Sequence, residues 1–132
     1  MHLPCLTQLD VLRLERHIRG LDTAAERERI DDLLATAHIV PGEEVPGDVV
    51  TMNSHVVYRD LATRIAHEIT LVYPELADSA QRRLSVTSAV GIALLGARLG
   101  EEVSVVQPNG QQRRLKILAV PFQPEAAGQF HL

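Results

Sequence analysis

The chain is poor in cysteine, tryptophan and aromatic residues. Its single cysteine, Cys5, excludes a disulfide within the chain and suits a reducing compartment. No apolar run approaches the roughly 20 residues that a membrane-spanning helix needs. No basic or apolar segment precedes Cys5, so we expect no signal peptide. These absences predict a cytoplasmic protein that does not enter a membrane.

Positive charge is also sparse. The formal net charge is −4, and of the 13 basic residues only Lys116 is a lysine. Nucleic-acid-binding proteins gather basic residues on one face. Along this chain the tightest groupings are the pairs Arg82-Arg83 and Arg113-Arg114, which we expect to be solvated charges at strand edges. The sequence therefore disfavours direct binding of nucleic acid.

Two helices are predicted before residue 40. Thr7 with Asp10, and Thr23 with Glu26, have the spacing of capping boxes, and Gly20 lies between the two segments as a helix stop. Apolar residues then recur at steps of three and four: Val11, Leu14, Ile18 and Leu21, followed by Ile30, Leu33, Leu34 and Ala37. The pattern predicts a short antiparallel helical hairpin with arms of about 18–24 Å.

The segment 41–47 contains two Pro-Gly pairs and predicts a linker. Beyond it the sequence is rich in Val, Ile, Thr and Tyr, which favours strands. We predict strands over 48–58, 66–73, 84–87, 102–107 and 112–120, with a helix over 88–99 and a hairpin turn at Asn109-Gly110. The predicted fold is α+β, with a hairpin at 1–40, a linker at 41–47 and a β-sheet domain with one helix at 48–132.

No motif for catalysis, metal binding or nucleotide binding is present. The six histidines lack the i,i+4 spacing of a helical zinc site, and Gly-x-Ser-x-Gly and P-loop patterns are absent. We therefore predict neither an enzyme nor a bound cofactor or metal. Asp22 and Glu26 at the predicted hairpin tip leave two interpretations open. They hold a divalent ion supplied by a partner, or Glu26 completes the helix cap.

Four segments in order resemble the Gre transcription-factor superfamily, and within it the regulators with a short hairpin. These are Asp48 to Ser54, Leu71 to Pro74, Val90 to Gly96 and Gln123 to Gly128. The resemblance implies an N-terminal coiled-coil hairpin on a C-terminal FKBP-like domain of the Gre type. It also implies binding to RNA polymerase at the rim of the secondary channel.

Long-hairpin members of this superfamily present acidic tip residues to the catalytic magnesium of the polymerase and stimulate transcript cleavage. Because the predicted arms are short, we expect this protein to occupy the channel and compete with longer factors without cleavage. Two alternatives stay open: a cleavage factor that uses Asp22 and Glu26, and an FKBP-like isomerase or chaperone. The second would need an apolar, aromatic-lined pocket, and the chain offers only Tyr58, Tyr73, Phe122 and Phe130.

The resemblance further implies that the loop leading into the last helix contacts the polymerase rim. In this chain the loop comprises Ser85, Val86, Thr87, Ser88, Ala89 and Val90. The superfamily commonly has proline where Ala89 stands, and proline at the first helical position preorganises the turn. Capping and packing are equally open roles for these residues. The oligomeric state is left open as well.

Overall fold

The computed structural model describes residues 4–18, 24–106 and 110–129. Three α-helices lie in these ranges: α1 (Gln8–Ile18), α2 (Ala24–Thr36) and α3 (Ala89–Leu94). The strands are β1 (Cys5–Thr7), β2 (His38–Val40), β3 (His55–Asp60), β4 (Ala66–Val72), β5 (Arg83–Ser85), β6 (Glu102–Val106) and β7 (Gln112–Phe122). Within the described residues, none of the helices has the length and apolar character needed to cross a membrane.

Five strands form the main sheet in the order β5-β4-β3-β7-β6. The β4–β5 pair is parallel and the other pairs are antiparallel. The period-two alternation of side chains gives the sheet an inner and an outer face. In β3, for example, Val56 and Tyr58 are buried while Arg59 is exposed. The pairing of β3 with β7 shifts register on both sides of Val57, which marks a β-bulge.

The helices lie on the inner face of this sheet. Leu14 of α1, together with Ile30 and Leu33 of α2, is buried in the same apolar cluster as Leu71 and Ile117 of the sheet. The predicted coiled-coil hairpin on an FKBP-like domain is therefore wrong, although the structure is α+β. Apolar residues of both helices lie in one buried cluster with residues of the sheet, and no long coiled-coil hairpin is present among the described residues. The division of the chain at 41–47 stays a prediction.

A second, two-stranded sheet was not predicted. Strand β1 pairs in parallel with β2, with Cys5 opposite His38. The Cys5 amide also donates to the Gly96 carbonyl (3.1 Å), and Gly96 has a φ of +82°. Helix α3 consequently ends at Leu94 and not near Leu99, because the chain must turn at Gly96 to receive β1.

Several local predictions are confirmed. The Asp10 amide donates to Thr7 Oγ1 (3.1 Å) and the Gly91 amide donates to Ser88 Oγ (3.0 Å), as expected of N-caps. Strands β6 and β7 pair antiparallel as predicted, but Val106 lies opposite Gln112, whereas a two-residue turn at 109–110 would place it opposite Arg113. Asn109 of the predicted turn lies outside the described residues.

Two of the resemblance segments meet through Gln123, whose side chain is only 3% exposed. Its Nε2 donates to the carbonyls of Pro46 and Val49, both at 2.7 Å, and its Oε1 accepts from the Ala126 amide (3.1 Å). One buried amide thus satisfies three backbone groups and holds the end of β7 to the segment that precedes β3.

A buried carboxylate links α1 to the same region. Asp10 is 2% exposed, and its Oδ2 accepts a hydrogen bond from the Met52 amide (3.1 Å). Burial raises the pKa of Asp10 to about 6, although the Met52 amide favours the charged form. The Glu125 carboxylate also raises the pKa of Asp10. Oε1 of Glu125 accepts a hydrogen bond from Thr51 Oγ1 at 2.5 Å.

The first prediction concerns Gln123. We expect Gln123→Ala to lower the free energy of unfolding by roughly 2–4 kcal/mol, because it leaves buried backbone groups without partners. Gln129→Ala, at an exposed position of the same tail, is the matched control. Urea unfolding measures both. Equal losses from the two variants would contradict the assigned role of the Gln123 side chain.

The second prediction concerns pH. Because the folded-state pKa of Asp10 lies above its ordinary value, the folded state holds this proton more tightly. Protonation of Asp10 therefore contributes roughly 3 kcal/mol to the free energy of unfolding below about pH 4. This contribution is lost as the pH rises through about 6. We expect Asp10→Asn to remove this loss, as measured by urea unfolding across that range. The exposed control Asp31→Asn should retain it, and an unchanged pH profile in Asp10→Asn would contradict the assignment.

Candidate partner-binding loop

The loop at 85–90 joins β5 to α3 and is closed by its own hydrogen bonds. The hydroxyl groups of Ser85 and Thr87 lie 2.8 Å apart, and Ser85 Oγ accepts from the Thr87 amide (3.2 Å). The Ser88 hydroxyl donates to the Ser85 carbonyl (2.7 Å). The polar groups of the loop are therefore used to fix its backbone. Ser88 is extended, with ψ of 157°, so a proline in place of Ala89 would fit this backbone.

Gly91 allows this turn to be tight. A Cβ atom built on Gly91 would lie 2.2 Å from the Ser85 carbonyl oxygen and 2.9 Å from Ser88 Oγ. Real Cβ atoms do not approach a backbone oxygen so closely, so only glycine is compatible with the observed path. The first turn of α3 is thereby held directly against the end of β5.

The six candidate binding residues differ in accessibility. Val86 is fully buried and its amide donates to the Val72 carbonyl (2.8 Å), while Thr87 is almost fully buried. Ser88, Ala89 and Val90 are half-buried and border the surface. The structure therefore divides the predicted set into a structural part, represented by Val86 and Thr87, and an accessible part at the start of α3.

A groove lies beside the accessible part, between α2, α3 and β6. Its volume is about 390 Å³ and its lining is largely apolar. The lining residues are Arg29, Asp32, Leu33, Thr36, Ala89, Ile92, Ala93, Ser104, Val105 and Val106. Arg29 also reaches the loop, where its Nη1 lies 3.4 Å from the Thr87 carbonyl oxygen. Helix α2 and the candidate loop thus contribute to one surface.

The structure describes only part of the predicted hairpin tip. Asp22 lies outside the described residues, and of Glu26 only the backbone, within α2, is described. Over 4–18, 24–106 and 110–129, no three His, Cys, Asp or Glu side chains come together as metal ligands.

A model of the family described as "Transcription elongation factor, GreA/GreB, C-term" matches residues 45–122. This range holds all five strands of the main sheet, the candidate loop and α3. The chain belongs to this family. The family assignment confirms the resemblance drawn from the four sequence segments.

Similar proteins extend the match to the N-terminal helices. The chain is 38% identical over 125 residues to the regulator of nucleoside diphosphate kinase of Escherichia coli (strain K12), which covers 95% of this chain and 90% of that protein. It is 38% identical over 84 residues to the transcription elongation factor GreA of Thermotoga neapolitana, covering 64% of this chain and 53% of GreA. The similarity to the regulator therefore includes nearly the whole of both chains.

A solved structure supports the same fold. The structure titled "Prokaryotic transcription elongation factor GreA/GreB from Nitrosomonas europaea" matches with a TM-score of 0.74 and 34% identity. The match covers 92% of this chain and all of that one. This Gre-like architecture replaces the FKBP-like description expected from the sequence.

The sequence predicts the loop at 85–90 but not the groove. The groove requires α2 to lie against α3 and β6, whereas the sequence pattern predicts α2 in a separate hairpin. The apolar residues of the predicted hairpin are the signal in the sequence that α2 packs against more than one neighbour. Leu33 and Leu34 are adjacent, so their side chains lie about 100° apart around a helix and cannot both face one narrow coiled-coil seam.

The third prediction concerns Gly91. We expect Gly91→Ala to destabilise the protein by roughly 2–4 kcal/mol, because the added Cβ would collide with the Ser85 carbonyl oxygen. In Gly47→Ala the new Cβ would meet only Ala126, at an ordinary 3.6 Å. Thermal unfolding compares the two variants. A Gly91→Ala midpoint as high as that of Gly47→Ala would contradict the close approach.

Proposed function

We propose that this protein is a transcription regulator without enzymatic activity, which binds RNA polymerase at the rim of the secondary channel. There it competes with longer Gre-type factors and does not stimulate transcript cleavage. The observation that carries the proposal is the similarity over nearly the whole chain to a protein named as a regulator, combined with membership of the GreA/GreB family. The expected compartment is the cytoplasm, where transcription is carried out.

The helices support the absence of cleavage. Helix α1 has 11 residues and α2 has 13, so neither exceeds about 20 Å. Both bury apolar residues against the sheet, as Leu14 and Ile30 show, and this burial prevents them from extending away from it as a long finger. A factor of this shape can occupy the rim of a channel but lacks the reach to deliver Asp22 or Glu26 to a distant catalytic centre.

The accessible start of α3 and the adjoining groove form the proposed contact surface. Ala89 borders both, and Leu33 and Ile92 supply apolar area within the groove. Protein interfaces draw most of their binding free energy from a few anchors in such pockets. The rigid loop fixes the position of this surface relative to the sheet, so little ordering would be required on binding.

The isomerase alternative gains no support from the described aromatic residues. The ring of Tyr58 stacks on His67, with centroids 5.2 Å apart, and Tyr73 is buried in the core. These two side chains do not line a common open pocket. Phe130 lies outside the described residues.

The fourth prediction tests binding to the polymerase. Purified RNA polymerase should bind the protein, and a long-finger Gre factor should displace it. We expect Ala89→Arg to weaken binding about tenfold, or about 1.4 kcal/mol, by placing a charged side chain at the proposed contact. Ile65→Arg also introduces an arginine, at an exposed position in the β3–β4 turn, and should bind normally.

Absence of binding at micromolar concentrations would contradict the proposal, and so would equal losses from Ala89→Arg and Ile65→Arg. Release of RNA from backtracked complexes tests cleavage separately. We expect no stimulation by this protein. Cleavage that depends on Asp22 and Glu26 would assign the chain to the cleavage factors instead.

A further inference from the structure

The outer face of the main sheet carries three exposed basic residues that are separated in the sequence. In β7, Leu115 and Ile117 are buried, so Arg114 and Lys116 project from the opposite, outer face. Arg59 of β3 projects from the same face. We refer to Arg59, Arg114 and Lys116 as the basic cluster.

The strand register brings these charges together. Arg59 and Lys116 are directly opposed across the β3–β7 pair. Arg114 lies two residues before Lys116, which corresponds to about 6.8 Å along a strand. Like charges directly opposed on neighbouring strands destabilise a sheet. The cluster therefore has a cost in stability that an anionic ligand would offset.

One acidic residue adjoins the cluster and offsets part of its charge. Glu102 of β6 is directly opposite Lys116 in the register, although among the described residues none of the three cluster members forms an ion pair. Asp60 pairs with Arg113, and Nη1 of Arg113 lies 3.1 Å from Oδ2 of Asp60. The cluster thus retains an excess of positive charge in a chain whose formal net charge is −4.

We propose that the basic cluster binds the phosphate backbone of single-stranded nucleic acid. This inference does not rest on binding to the polymerase. An acidic protein partner is less well matched, because the centres of protein interfaces are depleted in charged residues and contain apolar anchors. The centre of this surface is the opposed pair Arg59 and Lys116.

The expected binding is weak and independent of sequence. An exposed sheet face presents its cations side by side to a flexible phosphate chain. The cluster provides two guanidinium groups and one ammonium group, which contact phosphates, and no aromatic ring for base stacking. Dissociation constants of such electrostatic complexes lie in the range of about 1–100 μM and increase steeply with salt.

The sequence alone disfavours binding of nucleic acid, because the tightest basic groupings along the chain are the adjacent pairs Arg82-Arg83 and Arg113-Arg114. Arg113 and Arg114 are neighbours in β7, so their side chains point to opposite faces of the sheet. Arg82 lies in the turn before β5 and is directed differently from Arg83. Arg113 also forms an ion pair with Asp60. The cluster combines residues from two strands that are more than 50 positions apart. Only their pairing in the sheet reveals it.

The fifth prediction tests the cluster with a fluorescent oligouridylate of about 12 nucleotides. Anisotropy titrations compare the wild-type protein with the double variant Arg59→Ala/Lys116→Ala at about 50 to 200 mM salt. We expect binding at low salt to weaken at least fivefold in the variant. The slope of log K against log salt should fall by about 1.4, which corresponds to two lost phosphate contacts.

The double variant Arg16→Ala/Arg98→Ala removes the same charge from exposed positions outside the cluster and should bind within about twofold of wild type. Conservative exchange, Arg59→Lys/Lys116→Arg, should preserve binding. Equal weakening in both alanine variants would overturn the proposal, as would absence of binding at the lowest salt. Tighter cluster-dependent binding of an oligoglutamate peptide would reassign the face to an acidic protein and would also overturn it.

Thermal unfolding separates ligand binding from a structural role. Because Arg59 and Lys116 repel each other across the pair, we expect Arg59→Ala/Lys116→Ala to unfold at a temperature no lower than wild type. A clear loss of stability would show that these side chains support the sheet and would overturn the argument from repulsion.

Discussion

Burial of the two N-terminal helices against the inner face of the sheet is the constraint on which the rest of this structure depends. Leu14, Ile30 and Leu33 complete the apolar cluster that the strands begin with Leu71 and Ile117. The same burial shortens the reach of the protein, which is why the proposed function is occupancy of a channel rim.

Polar contacts then determine how the ends of the chain attach to this core. Asp10 binds the Met52 amide, and Gln123 binds the carbonyls of Pro46 and Val49. Both side chains are buried, and a buried polar group without a hydrogen-bond partner would destabilise the folded state. These contacts join segments that are far apart in the sequence. Burial of Asp10 also raises the pKa of its carboxyl group.

The two faces of the molecule serve different proposed roles. On the helix side, the loop at 85–90 and the groove next to Ala89 offer apolar area on a rigid frame, as a protein partner requires. On the outer side of the sheet, the like charges of Arg59 and Lys116 face each other across the strand pair and suit a polyanion. A bulge in the β3–β7 pairing lies close to this charge pair, and bulges commonly redirect side chains near functional surfaces.

The sequence by itself determined many of the local elements and the family. Caps at Thr7 and Ser88 were readable because a hydroxyl group and an amide three residues later are close in any helix. The strands β6 and β7, the segment order and the likeness to Gre factors required no long-range information. Only the tertiary structure decided where the helices pack, that Cys5 starts a strand beside His38, and that Arg59 opposes Lys116. The physical reason is that periodicity reveals which face of an element is apolar, whereas the partner of that face depends on contacts between residues far apart in the chain.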